Sequence, residues 1–362
     1  MSAPLSNTKS RLAWIDYARG IAIILVLYRH IFEGISRSGV EAAEYSWLEH
    51  ANIIFYSFRM PLFFILSGVF IAKSLAKRGV KDLIVNKVNI LLYPYLLWSV
   101  IQITLQIALG NYVNADRSWK DYGYVLLYPR MIDQFWYLYA LFNVTVIYIL
   151  TKEKLGFKVW HQLAAGFVLY LIASYVAVRH IDTGFIYDIC HFYMFFAIGE
   201  LIADKILDTN RYPVYSSWKT FFLLLPLFAA GQYYFLVTNL SMNNNLFVEE
   251  HQPLVFAVIA LIGCAFMINI SFLLQRYDTA KPLKIAGFHS LYIYVSHVLV
   301  ASAVRMVLVK VFHLTWLPAL LVICLCFAVV IPILLYKFAM RIGAYWMYSL
   351  EKPKTIQLKT TS

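Results

Sequence analysis

The chain has 362 residues, 61% hydrophobic and 14% charged, with a mean hydropathy of +0.67. A soluble globular domain carries closer to a quarter charged residues, so the balance excludes an ordinary soluble protein and points to one polytopic helical bundle that can use the whole length. The net charge of +12 would suggest nucleic acid in a soluble protein. Here the basic residues form no aromatic-basic recognition surface, so they are read as cytoplasmic loops, with no nucleic-acid partner.

Residues 1–13 are polar and lack the short apolar core and small-residue cleavage site of a signal peptide. They read as a cytoplasmic leader before a retained first helix. That helix, residues 14–35, is WIDYARGIAIILVLYRHIFEGI. Its middle, Ile21 to Leu27, is wholly apolar, and Asp16, Arg19, Arg29, His30 and Glu33 sit toward its ends. Arg19 and His30 are eleven positions apart, roughly three turns plus 20°, so they share one face about 16 Å apart along the axis. The spacing makes an apolar stripe with a cation at one end and an imidazole at the other. Asp16 lies one turn before Arg19, where the two can pair.

Ten spans follow from length and hydropathy, at about 14–35, 52–73, 86–109, 134–151, 160–179, 185–204, 218–238, 252–274, 285–311 and 315–340. The connections alternate in charge. One set carries Lys73, Lys77, Arg78, Lys81 and Lys87, then Lys152, Lys154 and Lys158, then Lys205, Arg211 and Lys219, then Arg276, Lys281 and Lys284. The other carries Glu41, Glu44, Glu49, Asp116, Asp121, Glu249 and Glu250 among few cations. Positive-inside orientation places the first set and both termini in the cytoplasm. The domain reading is therefore a leader at 1–13, a transmembrane domain at 14–340 and a cytoplasmic tail at 341–362. No internal repeat suggests the inverted halves of many transporters. The four cysteines fall in apolar spans without metal-ligand spacing and read as packing residues, and no metal is expected.

Depth then follows from the helical rise. His30 lies roughly 7 Å below the outer end of its span, Arg59 roughly 10 Å, His191 roughly 9 Å, and His297 about 18 Å up from the inner face. Four helices thus bring an ionisable side chain to similar height, while Arg19 sits near the inner face. A guanidinium such as Arg59 is expensive in an apolar helix without a task. His191, taken alone, reads equally well as a hydrogen-bonded core histidine. Trp136 and Tyr137 open the fourth span and read either as belt aromatics or as a substrate platform. Arg29, near the interface, reads as a snorkelling surface residue. His161, His180, His289 and His313 read as interfacial. Ser67 and Gly68 lack the context of a nucleophile elbow and read as close helix packing.

These residues carry a resemblance. Ile15-Asp16-Tyr17-Ala18-Arg19-Gly20 ending in His30 resembles the first-helix pattern of the acyltransferase-3 family of integral membrane acyltransferases, in which an Arg or Lys precedes a His by eleven positions. Met60 to Gly68, preceded by Arg59, is similar to its second-helix motif, Phe135 to Phe142 to its aromatic fourth helix, and Gly287 to His297 to its Gly-x-x-Ser-Leu-x-x-Tyr-x-x-His. The likeness spans essentially the whole chain and is greatest to the fucose-4-O-acetylase-like, exopolysaccharide acetyltransferase branch.

The resemblance implies O-acetylation at a bacterial inner membrane. An acyl group would pass from cytoplasmic acyl-CoA, with acetyl-CoA as co-substrate and no permanently bound cofactor, to a hydroxyl of a cell-surface or exported carbohydrate. The acceptor would be a polysaccharide or a lipid-linked glycan, and the remaining partners membrane lipids. The residue chemistry fits that implication. Arg19 with Asp16 would hold the donor at the inner mouth. His30 would be general base or covalent acyl carrier, and Arg59 would stabilise the oxyanion. Trp136, Tyr137, His191 and His297 would hold the acceptor. The rival reading is a transporter or flippase for an acylated or lipid-linked sugar, which shares the helices and the outer polar cluster but leaves the Arg19–His30 stripe without a use. A receptor or scaffold would leave the buried charges unexplained.

Overall fold

A computed structural model describes residues 12–40, 43–110 and 117–352. Most of the 1–13 leader with Lys9 and Arg11, the loop residues Glu41 and Asp116, and Lys354 with the rest of the tail past 352 lie outside the described residues. Among the described residues every regular element is helical. The chain is a polytopic helical membrane bundle.

The helix α1 (Ala13–Ser36) lies at its centre and packs against α3 (Tyr56–Gly68), α13 (Pro253–Tyr277), α14 (Lys281–Phe288), α15 (Ser290–Lys310) and α16 (Leu317–Arg341). Trp14 to Ala18 are buried in unbroken succession, as befits a helix enclosed on all sides. Two backbone crossings lock it in. A Cβ on Gly20 would collide with the Leu283 carbonyl, and one on Gly287 with the Asp16 carbonyl, so α1 and α14 touch main chain to main chain. Gly68 of α3 meets the Phe196 carbonyl of α9 (Ile186–Ile206) in the same way, which accounts for the missing side chain at Gly68.

Nine helical stretches are long and apolar enough to cross a membrane among the described residues. α1 joins them by length and enclosure, although any eighteen consecutive residues within it hold at least three charges. The ten expected spans are thus present with shifted ends. The second starts earlier, as α2 (Ser46–Ile54) breaks at Phe55 and resumes as α3. The basic stretch read as a connection is itself helical, as α4 (Ile71–Lys87), a π turn at Val88–Leu92 and α5 (Tyr93–Ala108). Its Lys, Arg and Leu residues favour helix, and Gly79, at φ 73°, makes the break that lets the segment turn. The ninth span divides at His289 into α14 and α15.

The rest follow in order. They are α6 (Tyr124–Leu127), a 3₁₀ run at Pro129–Phe135, α7 (Trp136–Lys154), α8 (Val159–Val178), α10 (Tyr212–Tyr215), α11 (Trp218–Ser241) and α12 (Phe247–His251). After α16 the chain folds back. Trp98 donates to the Met347 carbonyl at 2.8 Å, and Asn89 accepts from the Leu350 amide at 2.6 Å, so the start of the tail is docked on the π turn and α5. His289, expected at an interface, is buried among Phe288, Tyr292 and Tyr336, because the α14–α15 junction folds into the bundle. Cys264 and Cys324 pack in the core as expected, whereas Cys326 faces outward.

Candidate functional site

A cavity of about 420 Å³ opens at the end of the bundle where α1 finishes. Its walls come from the C-terminal halves of α1 and α15, the start of α3, the Pro129–Phe135 run, α9 and α12. Of the residues singled out from sequence, His30, Arg59, Trp136 and His191 line it.

His30 lies roughly three turns beyond Arg19 along the unbroken α1. Among the described residues no hydrogen bond reaches its ring; its neighbour is His297, with ring centroids 5.4 Å apart. His297 is fully buried behind the cavity wall. Its Nδ1 faces the carbonyls of Tyr294 at 2.8 Å and Ile293 at 3.2 Å, so Nδ1 carries the proton and Nε2 the lone pair. That Nε2 has no partner among the described residues.

Arg59 is 2% exposed. Its Nη1 reaches only the Leu25 carbonyl at 3.5 Å and Asn52 Oδ1 at 3.4 Å, and its Nη2 has no partner among the described residues. The guanidinium is 5.0 Å from the Tyr56 ring centroid, one turn earlier on α3. Burying a cation with so little compensation is costly.

Three wall features were not legible as site residues. Arg29 is not a snorkelling surface residue. It lines the cavity, donates to Glu33 at 2.6 Å and sits 5.3 Å from the Tyr56 centroid, because α2 folds over this end of α1 and Tyr28 donates to the Leu48 carbonyl. Glu249 looked like an outer-loop acid yet is 5% exposed. The short helix α12 carries it inward, pinned by Asn239 Oδ1 accepting from the Val248 amide at 3.0 Å and by Ser174 donating to the Glu250 carbonyl at 2.5 Å. Burial raises its carboxyl above the usual carboxylate range, against the opposing pull of the Tyr56 hydroxyl and of Arg130, Arg29 and Arg59. Its Oε1 lies 3.2 Å from His191 Nε2, out of line for a hydrogen bond, and its Oε2 is unpartnered among the described residues. His191 is enclosed by Tyr170, Tyr187, Phe192 and Phe256.

The third feature is Arg130, which grips Asp188 Oδ1 through Nε at 2.9 Å and Nη2 at 2.7 Å and lies 4.6 Å from the Trp136 ring centroid. Trp136 also stacks on Phe192. Nothing in the local pattern of Pro129–Phe135 announces this, since two segments 58 residues apart must meet to form the pair. Next to it Asp133, at φ 62° and ψ −122°, takes hydrogen bonds from Gln102, Gln106 and Arg117. Such a conformation is held by surrounding bonds, and it clusters at ligand sites.

At the opposite end of α1 stands a second charged group, apart from the cavity. Asp16 is buried, Arg19 is half-buried, and both have partners. Lys87 lies within electrostatic reach of Arg19 and Arg78, and Tyr137 within reach of Arg19 and the Ser67 hydroxyl. Tyr137 is therefore turned away from the cavity, toward the Arg19 end, packed on Phe63, Phe64 and Tyr294. Between the two ends Ala22, Ile23 and Val26 are buried, and the cavity reaches inward only to Val26 and Pro61.

Fold and site define an integral membrane protein with a polar pocket at one end of its bundle, in which, among the described residues, the His30 ring takes no hydrogen bond and Arg59 Nη2 has no partner. Residues 12–337 match the family model described as "Acyltransferase domain", and the chain belongs to that acyltransferase family. Among curated proteins it is similar to nodulation protein NolL of Sinorhizobium fredii (strain NBRC 101917 / NGR234), 24% identical over 201 residues, which are 56% of this chain and 51% of that protein. It is also similar to nodulation protein NolL of Mesorhizobium japonicum (strain LMG 29417 / CECT 9101 / MAFF 303099), 25% identical over 202 residues, 56% and 50% of the two chains. The match spans about half the length of these relatives. No solved structure matches the chain.

Proposed function

We propose that this chain is a bacterial inner-membrane O-acyltransferase, with both termini cytoplasmic, that moves an acyl group, acetyl foremost, from cytoplasmic acyl-CoA to a hydroxyl of a cell-surface or exported carbohydrate. The observation that carries the reading is that one cavity of a family acyltransferase holds both His30, whose ring takes no hydrogen bond among the described residues, and Arg59, whose Nη2 has no partner among them.

In this mechanism His30 takes the proton of the acceptor hydroxyl as its oxygen attacks the thioester carbonyl. The new C–O bond makes a tetrahedral oxyanion, and Arg59 Nη2 meets that charge. Collapse breaks the C–S bond, and the departing thiolate takes the proton from His30, leaving an ester and free CoA. His297, with its lone pair on Nε2 beside His30, would accept from the other His30 nitrogen and set its tautomer. Trp136, His191 and Glu249 would hold the sugar by stacking and hydroxyl hydrogen bonds. The CoA phosphates would bind at Arg19, Arg78 and Lys87. The pantetheine arm would have to part the packed Ala22–Val26 stripe to bring the thioester to His30.

The test is purified protein in nanodiscs with radiolabelled acetyl-CoA and a panel of glycans. Label in a glycan supports the reading, and label trapped on His30 after an acid quench makes that residue a covalent carrier rather than a base. Glycan movement across liposomes without label transfer would replace the enzyme with a transporter.

A further inference from the structure

The arginines of the cavity wall differ in how their charge is met among the described residues. Arg29 is spent on Glu33, and Arg130 on Asp188. Of the wall acids, Asp133 is engaged by Arg117, and Glu249 sits beside His191. The Arg305 side chain of α15 has no hydrogen bond or ion pair among the described residues, and neither has the Arg37 side chain at the mouth, within electrostatic reach of it.

The placement of Arg305 is specific. It lies eight residues, roughly 12 Å, beyond His297 on α15. Helical side chains lean back toward the N-terminus, so its guanidinium descends onto α1. It arrives at Gly34, where a Cβ would collide with Arg305 Nη1, so the missing side chain makes the notch that the guanidinium fills. Gly34 is one turn, about 6 Å, past His30. A guanidinium with no hydrogen bond or ion pair among the described residues therefore stands one helical turn outside the proposed base, at about the width of a pyranose ring.

We propose that the acceptor carries an anionic oxygen group, a sugar carboxylate or a phosphate of a lipid linkage, which binds Arg305 with Arg37 while the reacting hydroxyl lies on His30. The inference rests on the acyl-transfer reading for the word acceptor. An Arg with no partner among the described residues matches a carboxylate or phosphate by its two-pronged geometry, which a neutral hydroxyl does not use.

The test is equilibrium binding to the full chain in a polyoxyethylene detergent, which brings neither phosphate nor sugar. The probes are a labelled glucose disaccharide, the same disaccharide oxidised to a carboxylate at one C6, and glucose joined to a polyprenyl chain through a diphosphate or through a neutral glycosidic bond. The expected result is a preference of roughly tenfold or more for one anionic probe over its neutral counterpart, lost in Arg305→Gln and partly kept in Arg305→Lys. Which probe is preferred separates carboxylate from phosphate. The Lys variant guards against a folding defect, since it keeps the charge and the stem. No charge preference in the wild type, a preference that survives Arg305→Gln, or equal loss for neutral and anionic probes would each overturn the proposal. Because the readout is binding, absence of label transfer with the preference intact would sink the acyl-transfer reading and leave the anion site standing.

Discussion

The two ends of α1 carry similar residues and do opposite things. At the Asp16 end the helix is closed against α14 backbone to backbone, Trp14 and Tyr17 are fully buried, and the charged side chains have partners. At the His30 end the helices stand apart around a cavity, and polar atoms on Arg59 and Glu249 of its wall lack partners among the described residues. Each end has an acid and an arginine, so composition does not separate them. What separates them is that at the His30 end Arg59 Nη2 and Glu249 Oε2 have no partner among the described residues, beside the paired Arg29 and Arg130.

The sharpest way to break the comparison is at the joint. Gly287→Leu would drive a side chain into the Asp16 carbonyl, with backbone rather than a flexible tip as the obstacle. We expect a loss of more than ~4 kcal/mol, seen as failure to recover monodisperse protein from membranes. Normal recovery and stability would show that α1 and α14 can separate at little cost.

Next in size is His30→Gln at the site. A structural histidine tolerates an amide, whereas a general base does not, because an amide takes up no proton at working pH. The variant should fold, bind acyl-CoA and lose transfer by at least about a hundredfold. Near-normal turnover at matched protein levels would remove His30 from the chemistry and leave His297 or His191 as the base.

The smallest expected effect returns to the first end. Arg19→Ala should weaken donor binding by about 2 kcal/mol with acceptor binding little changed, if the Arg19 group meets the CoA phosphates. Unchanged donor affinity in folded protein would make that end purely a joint and sharpen the contrast with the His30 end.

Membrane embedding, the number of spans and the shared face of Arg19 and His30 were legible without coordinates, because hydropathy is a local sum and helical register depends only on the spacing along one helix. The small-residue packing at Gly68 was legible for the same reason. Which side of a helix faces the cavity was not. Tyr137 and Trp136 are neighbours in the chain, yet Trp136 lines the pocket while Tyr137 turns to the Arg19 end, because the roll of α7 is set by the helices around it. Glu249 and Glu250 look alike as a pair of loop acids. Only the tucking of α12 against α8, α11 and α13 buries the first of them beside His191. Arg305 draws no reading from the sequence, because the notch it fills is made by Gly34 of another helix. Local chemistry decided what could enter the membrane and how each helix repeats; tertiary packing alone decided which charges meet and which are left free for a ligand, since burial and pairing are properties of residues far apart in the chain.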